Sequence, residues 1–386
     1  MTGSVQVKKG KWYILLNLKD ENGERKRKWI ATGLPEKGNK RKAESMLAAL
    51  KAEYEGTGYV EPTKILFDDF LRDWLESHKP NIEVITYVSY KRIVEEVASY
   101  FKTKKVALHD LKSKHIQDYC THKLAKPKVG PNTVIKHLTV IRKSLQHAKK
   151  TRLIKENPAD WVEKPKKLKF VGGYYNGEEM TRLLEVIKGS TIEAPLMFAI
   201  YFGVRRSEAI GVKWGSIDFT GGKLLVAHKV VPITENGKYR VEASDSLKNK
   251  SSYRTMSLDG TFMNFLKELK ARQEANKAFF GEAYCTDYEE YVCVDAVGKL
   301  LKPDYVTIAF RKLLRKNGLR HIRFHDLRHS CASLLLALGY SLKEIQVYLG
   351  HGDISTTMNI YAHVESSVKQ TMIEGITRAL SVPEKH

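Results

Sequence analysis

Several things are scarce in this 386-residue chain, and each scarcity narrows what the protein can be. There are four cysteines, Cys120, Cys285, Cys293 and Cys331. They form no CxxC pair and have no metal-ligand spacing, which argues against a disulfide scaffold and against a zinc module. No secretory leader opens the sequence, so the thiols are expected to be reduced and the protein cytoplasmic. The longest apolar stretch, around Pro195 to Val204, runs for about ten residues, half of what a bilayer crossing needs, so no membrane partner is expected. Internal repeats and low-complexity tracts are missing. Negative charge is also short: 44 Asp and Glu stand against 66 Lys and Arg, a net charge of +22. A surplus of that size points to a polyanionic partner, most often nucleic acid. What is present is enough apolar residue for real cores, 42% of the chain, over a length that implies two or three domains.

Three segments follow from the patterning. Residues 1–58 open with strand-like alternation, Trp12 to Leu18, then Asn22-Gly23, a strong hairpin signal. A second strand holds four consecutive cations, Arg25, Lys26, Arg27 and Lys28, and a helix is expected from Lys40 to about Tyr54. A small sheet with a basic strand has the dimensions to enter a DNA groove. Residues 63–165 read as all-helical. The stripes Phe67, Phe70, Leu71, Trp74, Leu75 and Val134, Leu138, Ile141, Leu145, Ala148 recur at helical spacing and are core residues. Arg142 and Lys143 lie off the second stripe, as candidate phosphate contacts. Lys164-Pro165-Lys166-Lys167 then reads as a basic linker whose lysines could meet a phosphate backbone. Residues 174–386 mix helices with short strands near 224–232, 238–243 and 253–258, an α+β pattern. Ser341 and Glu344 form a capping box at the head of one late helix.

The chemistry concentrates in this last segment. Gly203-Val204-Arg205-Arg206-Ser207-Glu208 places an arginine after a turn glycine; His325-Asp326-Leu327-Arg328 places a histidine and an arginine on one helix face; Leu349-Gly350-His351 precedes Tyr361. Breaking a phosphodiester needs a nucleophile, a donor for the leaving oxygen, and charge on the nonbridging oxygens. Tyr361 is the candidate nucleophile. Its phenol, with an ordinary pKa near 10, attacks where cations stabilise the developing charge. Arg205 and Arg328 can each offer a planar fork to phosphate oxygens. His351 can donate a further hydrogen bond, and His325 can assist proton movement. Glu208 and Asp326 are expected to orient the neighbouring arginines. No paired carboxylates accompany these motifs, so neither a metal nor another cofactor is expected.

Together the motifs, in this order on a basic chain of three parts, resemble the tyrosine recombinase (phage-type integrase) family. The resemblance implies a multidomain fold: a small N-terminal β-sheet plus helix that binds arm-type DNA sites (1–58), an all-α core-binding domain (63–165), and an α+β catalytic domain with a C-terminal tail helix (174–386). It implies that Arg205, Lys248, His325, Arg328 and His351 assist Tyr361, which forms a covalent 3′-phosphotyrosine and releases a 5′-hydroxyl. The lysine comes from the Leu247–Thr255 segment, where the family places its general acid in a β-hairpin; Lys250 rivals Lys248 for that role. Arg254 in the same segment stands open between structural support and a phosphate contact. The implied partners are double-stranded DNA attachment sites and three further copies of the chain, with an excisionase and a host DNA-bending protein as accessory factors. The implied setting is the bacterial cytoplasm, at the nucleoid.

Two other readings compete. A type IB topoisomerase shares the catalytic set but relaxes DNA as a monomer and has no use for a separate N-terminal sheet. A catalytically inactive DNA-binding regulator on the same scaffold would have no reason to keep all six residues. The late stripe Val364, Val368, Met372, Ile373, Ile376 and Leu380 predicts a tail helix that packs on its own domain or on a neighbouring protomer.

Overall fold

The computed structural model describes residues 2–19, 25–56, 64–168, 172–235, 237–245 and 253–350. The chain divides into two units, Met1–Lys169 and Phe170–His386.

At the N-terminus, β1 (Thr2–Lys8), β2 (Lys11–Lys19) and β3 (Arg25–Pro35) form an antiparallel sheet in that order. Because side chains alternate along a strand, Ile14 and Leu16 share one face, where they are buried with Leu47 of α1 (Lys40–Gly56). Leu15 pairs with Trp29 and Asn17 with Arg27, which puts Arg27 and Trp29 on the opposite face. Trp29 is 46% exposed there, with the Lys8 ammonium 5.4 Å from its ring centroid and Tyr13 edge-on. Strand β1 has no counterpart in the periodicity of the sequence. Its Thr-Gly-Ser-Val-Gln-Val-Lys carries two valines among polar residues, too weak an apolar signal for a strand whose place is set by pairing with β2. The Asn22-Gly23 turn lies outside the described residues.

Further along the first unit, α2 (Phe67–His78), α3 (Val84–Lys102), α4 (Ser113–Leu124) and α5 (Pro131–Lys150) enclose a second core. The expected stripes of α2 and α5 are its interior, and Pro131 opens α5 at a position where a missing N–H costs nothing. Two polar pairs accompany this core, one inside it and one at its surface. The Tyr119 hydroxyl and His137 Nδ1 are 2.7 Å apart, and Lys123 pairs with Glu96.

The second unit begins with α6 (Gly177–Ile187), held at its start by a capping box between Asn176 and Glu179. There follow α7 (Glu193–Phe202), α8 (Arg206–Ile210), β4 (Ile217–Asp218), β5 (Lys223–Val226), β6 (Lys229–Glu235), β7 (Lys238–Ser244), β8 (Arg254–Ser257), α9 (Gly260–Phe280), α10 (Pro303–Lys316), α11 (Asp326–Ala337) and α12 (Leu342–Leu349). Helix α7, Glu-Ala-Pro-Leu-Met-Phe-Ala-Ile-Tyr-Phe, is apolar nearly all round and forms the middle of the core. One sheet has the order β4-β5-β8, and β6 pairs with β7 separately.

The single strand expected over 224–232 is therefore two. The chain turns at His228, a buried side chain that binds Asp245 Oδ1 (2.5 Å) and the Tyr291 hydroxyl (3.0 Å), so β5 and β6 join different sheets. Helix α8 also stops at Ile210, short of the expected 213. Val212 and Lys213 leave it to pair with Val292 and Tyr291. Among the described residues no helix is long and apolar enough to cross a membrane, and no group of three His, Cys, Asp or Glu is placed to hold a metal ion.

Candidate active site

The site is built where α7 ends. Gly203 caps that helix with φ +56°, a left-handed backbone that a side chain would strain, and a Cβ there would lie 2.3 Å from Leu349 Cδ2. The turn aims the Gly203 carbonyl at α11, where Arg328 Nη1 donates to it at 2.6 Å. Two residues on, Arg205 occupies the N-cap position of α8. Its backbone N–H donates to Glu208 Oε2 (3.0 Å) and its Nη1 donates to Glu208 Oε1 (2.5 Å). A single backbone reversal thus presents Arg205 and orients Arg328.

Glu208 serves a third cation. Arg254 Nη2, from the first residue of β8, donates to Glu208 Oε2 at 3.3 Å. Burial alone would raise the Glu208 carboxyl, but Arg254 first and Arg205 next outweigh it and hold its pKa below the ordinary carboxylate range. Arg328 is 1% exposed. Burial, then the charges of Arg205 and Arg254, pull its pKa down, although a guanidinium starts high enough to stay charged at neutral pH. The cluster is therefore strongly cationic and poor in water, which is where a phosphate gains most from a charged fork.

His325 sits at the N-cap position of α11, its ring edge-on to His329 at 5.3 Å. Crowding by the surrounding chain, then His329 and Arg328, hold its pKa below the ordinary histidine range. A neutral imidazole at this place can accept a proton. Asp326, expected to orient Arg328, is taken up by Arg323, which donates from its backbone N (2.8 Å) and from Nη2 (2.6 Å). Behind the site, the Ser330 hydroxyl donates to the Asp326 carbonyl and accepts from the Tyr175 N–H, each at 2.9 Å, and so fixes α11 to the start of the unit.

The structure brings Arg205, His325, Arg328 and Arg254 to one place. Lys248, Lys250, His351 and Tyr361 lie outside the described residues, as does the expected tail helix. Helix α12 ends at Leu349 with Gly350 as its left-handed cap, one residue before His351. Tyr348 on α12 is no rival nucleophile: its hydroxyl donates to the Tyr201 carbonyl (2.9 Å), and burial raises its pKa. Of the candidate DNA contacts in the first unit, Lys164, Lys166 and Lys167 are exposed, and Arg27 and Lys28 lie on opposite faces of β3. The backbones of Arg25 and Lys26 belong to the same strand. Arg142 donates to Asp160 Oδ1 (2.8 Å), and Lys143 donates to the Tyr90 hydroxyl (2.8 Å). The Gly203 carbonyl as acceptor for Arg328 and the pairing of Arg254 with Glu208 come from the structure alone. The left-handed glycine before Arg205 was a visible signal for the first; no local pattern pointed to the second.

A buried arginine and a partly open one, both set by a helix-ending glycine, with a histidine at the head of the second helix, define a phosphodiester-handling catalytic domain. The chain belongs to the phage integrase family, the tyrosine-type site-specific recombinases: the Phage integrase family model matches residues 174–367 and the phage integrase SAM-like domain matches residues 66–167. Among curated relatives, a protein named tyrosine recombinase XerC-like from Caldanaerobacter subterraneus is 26% identical over 383 residues, 95% of this chain and 96% of its own length. The ICEBs1 integrase of Bacillus subtilis is 23% identical over 350 residues, 88% of this chain and 90% of its own. The fold matches that of the Tn1549 transposon integrase, solved in complex with circular intermediate DNA, at a TM-score of 0.64 and 14% identity, covering 81% of this chain and 99% of that one. It also matches lambda integrase, solved as a tetramer bound to a Holliday junction, at 0.55 and 14%, covering 92% and 94%.

Proposed function

We propose that this recombinase cuts and rejoins double-stranded DNA at the attachment sites of a mobile element, with Tyr361 as nucleophile. The Tyr361 oxygen attacks the phosphorus, the bond from phosphorus to the 5′-oxygen breaks, and a 3′-phosphotyrosine forms. Arg205 and Arg328 hold the nonbridging oxygens as charge grows on them. Lys248, with Lys250 as its rival, gives a proton to the leaving 5′-oxygen; His351 donates to the phosphate, and neutral His325 takes up a proton. The 5′-hydroxyl of a partner strand then attacks the phosphotyrosine, restoring the diester and freeing Tyr361, so the bond energy is conserved without ATP.

The observation that carries this reading is the Gly203 turn, which aims Arg328 through its carbonyl and launches Arg205 two residues later. Separate hydrophobic cores in each of the three segments support a division into an arm-binding module (1–58), a core-binding domain (63–165) and a catalytic domain (174–386). Arg27 on the open sheet face and the exposed Lys164, Lys166 and Lys167 are proposed DNA contacts, and Arg25, Lys26, Lys28, Arg142 and Lys143 complete the set on the first unit. The working assembly is a homotetramer on two DNA segments in the bacterial cytoplasm, at the nucleoid, with an excisionase and a host DNA-bending protein as accessory partners.

The test is a nicked suicide duplex carrying an element-end sequence, incubated with the protein in EDTA and resolved on a denaturing gel. Wild type is expected to give a covalent protein–DNA band that Tyr361→Phe lacks. A band persisting in Tyr361→Phe would move the nucleophile elsewhere, and binding without any band would favour an inactive scaffold.

A further inference from the structure

Arg254 occupies an unusual place for an arginine in a DNA-handling protein. It begins β8, where its backbone pairs with Val226 of β5, and alternation gives it the same inward face as Met256, which is buried in the core. Its side chain is only 7% exposed, and the carboxylate it meets, Glu208, is only 3% exposed. Arg205, on the other side of that carboxylate, keeps 28% of its side chain open. One buried anion therefore lies between a covered cation and an accessible one.

That arrangement bears on how Arg205 can serve a phosphate. A buried carboxylate paired with Arg205 alone would neutralise it and compete with the DNA for its guanidinium. A second cation on the same carboxylate divides the attraction. Glu208 Oε1 then holds Arg205 Nη1 in orientation, while Arg254 at Oε2 takes up part of the negative charge. Three arginines against one carboxylate leave the cluster of Arg205, Arg254, Arg328 and Glu208 with a net charge of +2 by count of residues.

Given the recombinase chemistry proposed above, we infer that Arg254 is a positioning residue: through Glu208 it keeps Arg205 oriented and charged for the scissile phosphate, without itself touching DNA. Removing Arg254 leaves Glu208 to pull on Arg205 undivided. Removing the charge of Glu208 makes Arg254 dispensable.

The experiment uses the full chain and the nicked element-end duplex, with binding followed by fluorescence anisotropy and covalent-complex formation in single turnover at saturating protein. Arg254→Met is expected to bind within about threefold of wild type and to form the covalent complex at least about tenfold more slowly. In a Glu208→Gln background the same substitution is expected to slow the reaction by less than about threefold, because the two residues act as one unit. Arg254→Lys, which keeps the charge but not the fork, should fall between Arg254→Met and wild type on Glu208 and have little effect on Glu208→Gln. Should Arg254→Met melt below the assay temperature, Arg254→Lys carries the same cycle. Losses of equal size in both backgrounds, with weakened binding and a shallower salt dependence, would mean a direct phosphate contact and overturn the inference. Wild-type rates in Arg254→Met would overturn it too. A wild-type protein that forms no covalent complex overturns the recombinase reading itself, and the role of Arg254 with it.

Discussion

Gly203 shows how much one backbone position can carry. It ends the central helix, avoids Leu349 and points its carbonyl at Arg328, and a side chain disturbs all three. Gly203→Ala meets both a positive φ and a Cβ 2.3 Å from Leu349 Cδ2, so it is expected to destabilise the second unit by roughly 2 kcal/mol or more, read as a lower melting temperature. His137 makes a different residue-scale prediction. Burial in the helical core, then Lys123, push its pKa down to about 4 from an ordinary 6.5. Above pH 6.5 the folded and unfolded chains both carry it neutral, and it adds no pH dependence. Between pH 6.5 and 4 the unfolded chain binds a proton that the folded chain refuses. Stability therefore falls with falling pH there, by at most about 1.4 kcal/mol per pH unit from this one group. Melting curves of His137→Gln across that window should be flatter than those of wild type; equal slopes would assign the acid sensitivity to other groups.

At the scale of elements, helix ends matter more than helix middles for the site. Helix α12 starts with Ser341 and Glu344 exchanging hydrogen bonds and ends at Gly350, immediately before His351. Ser341→Ala is expected to remove about 1 kcal/mol of stability, a shift of roughly 2–4 °C in melting for a unit of this size. An unchanged melting temperature would mean that packing of Ile345 and Leu349 alone holds the helix. That capping box was readable in four residues, because capping chemistry is local. The break between β5 and β6 was not readable. The run from Leu224 to Pro232 is rich in apolar and β-branched residues and reads as one strand, and the interruption comes from His228 reaching Asp245 and Tyr291. The early end of α8 has the same origin, since Val212 and Lys213 are drawn off by partners about eighty residues away in sequence.

For the molecule as a whole, the charge surplus of +22 is the dominant physical property. Binding to duplex DNA through many Lys and Arg contacts releases counterions. Affinity is therefore expected to fall by about 10³-fold or more between 50 and 200 mM salt when a half-dozen or more phosphates are engaged. A titration by anisotropy measures the slope; a flat response would remove the electrostatic basis of the proposed interface. The order of the parts, a basic sheet, a helical core and a mixed catalytic segment, follows from periodicity and composition, and the structure keeps it. The types of chemistry also belong to the sequence by itself, because an arginine after a helix-ending glycine or a histidine three residues before an arginine is set by neighbours along the chain. What only the tertiary structure decided is who meets whom. Arg328 reaches a carbonyl 125 residues back, and Glu208 is shared with an arginine 46 residues on, while Asp326 serves Arg323 rather than the arginine expected of it. Those partnerships depend on how packed elements cross. Packing aligns side chains that no local period relates, so charge and identity can be read along the chain but orientation cannot.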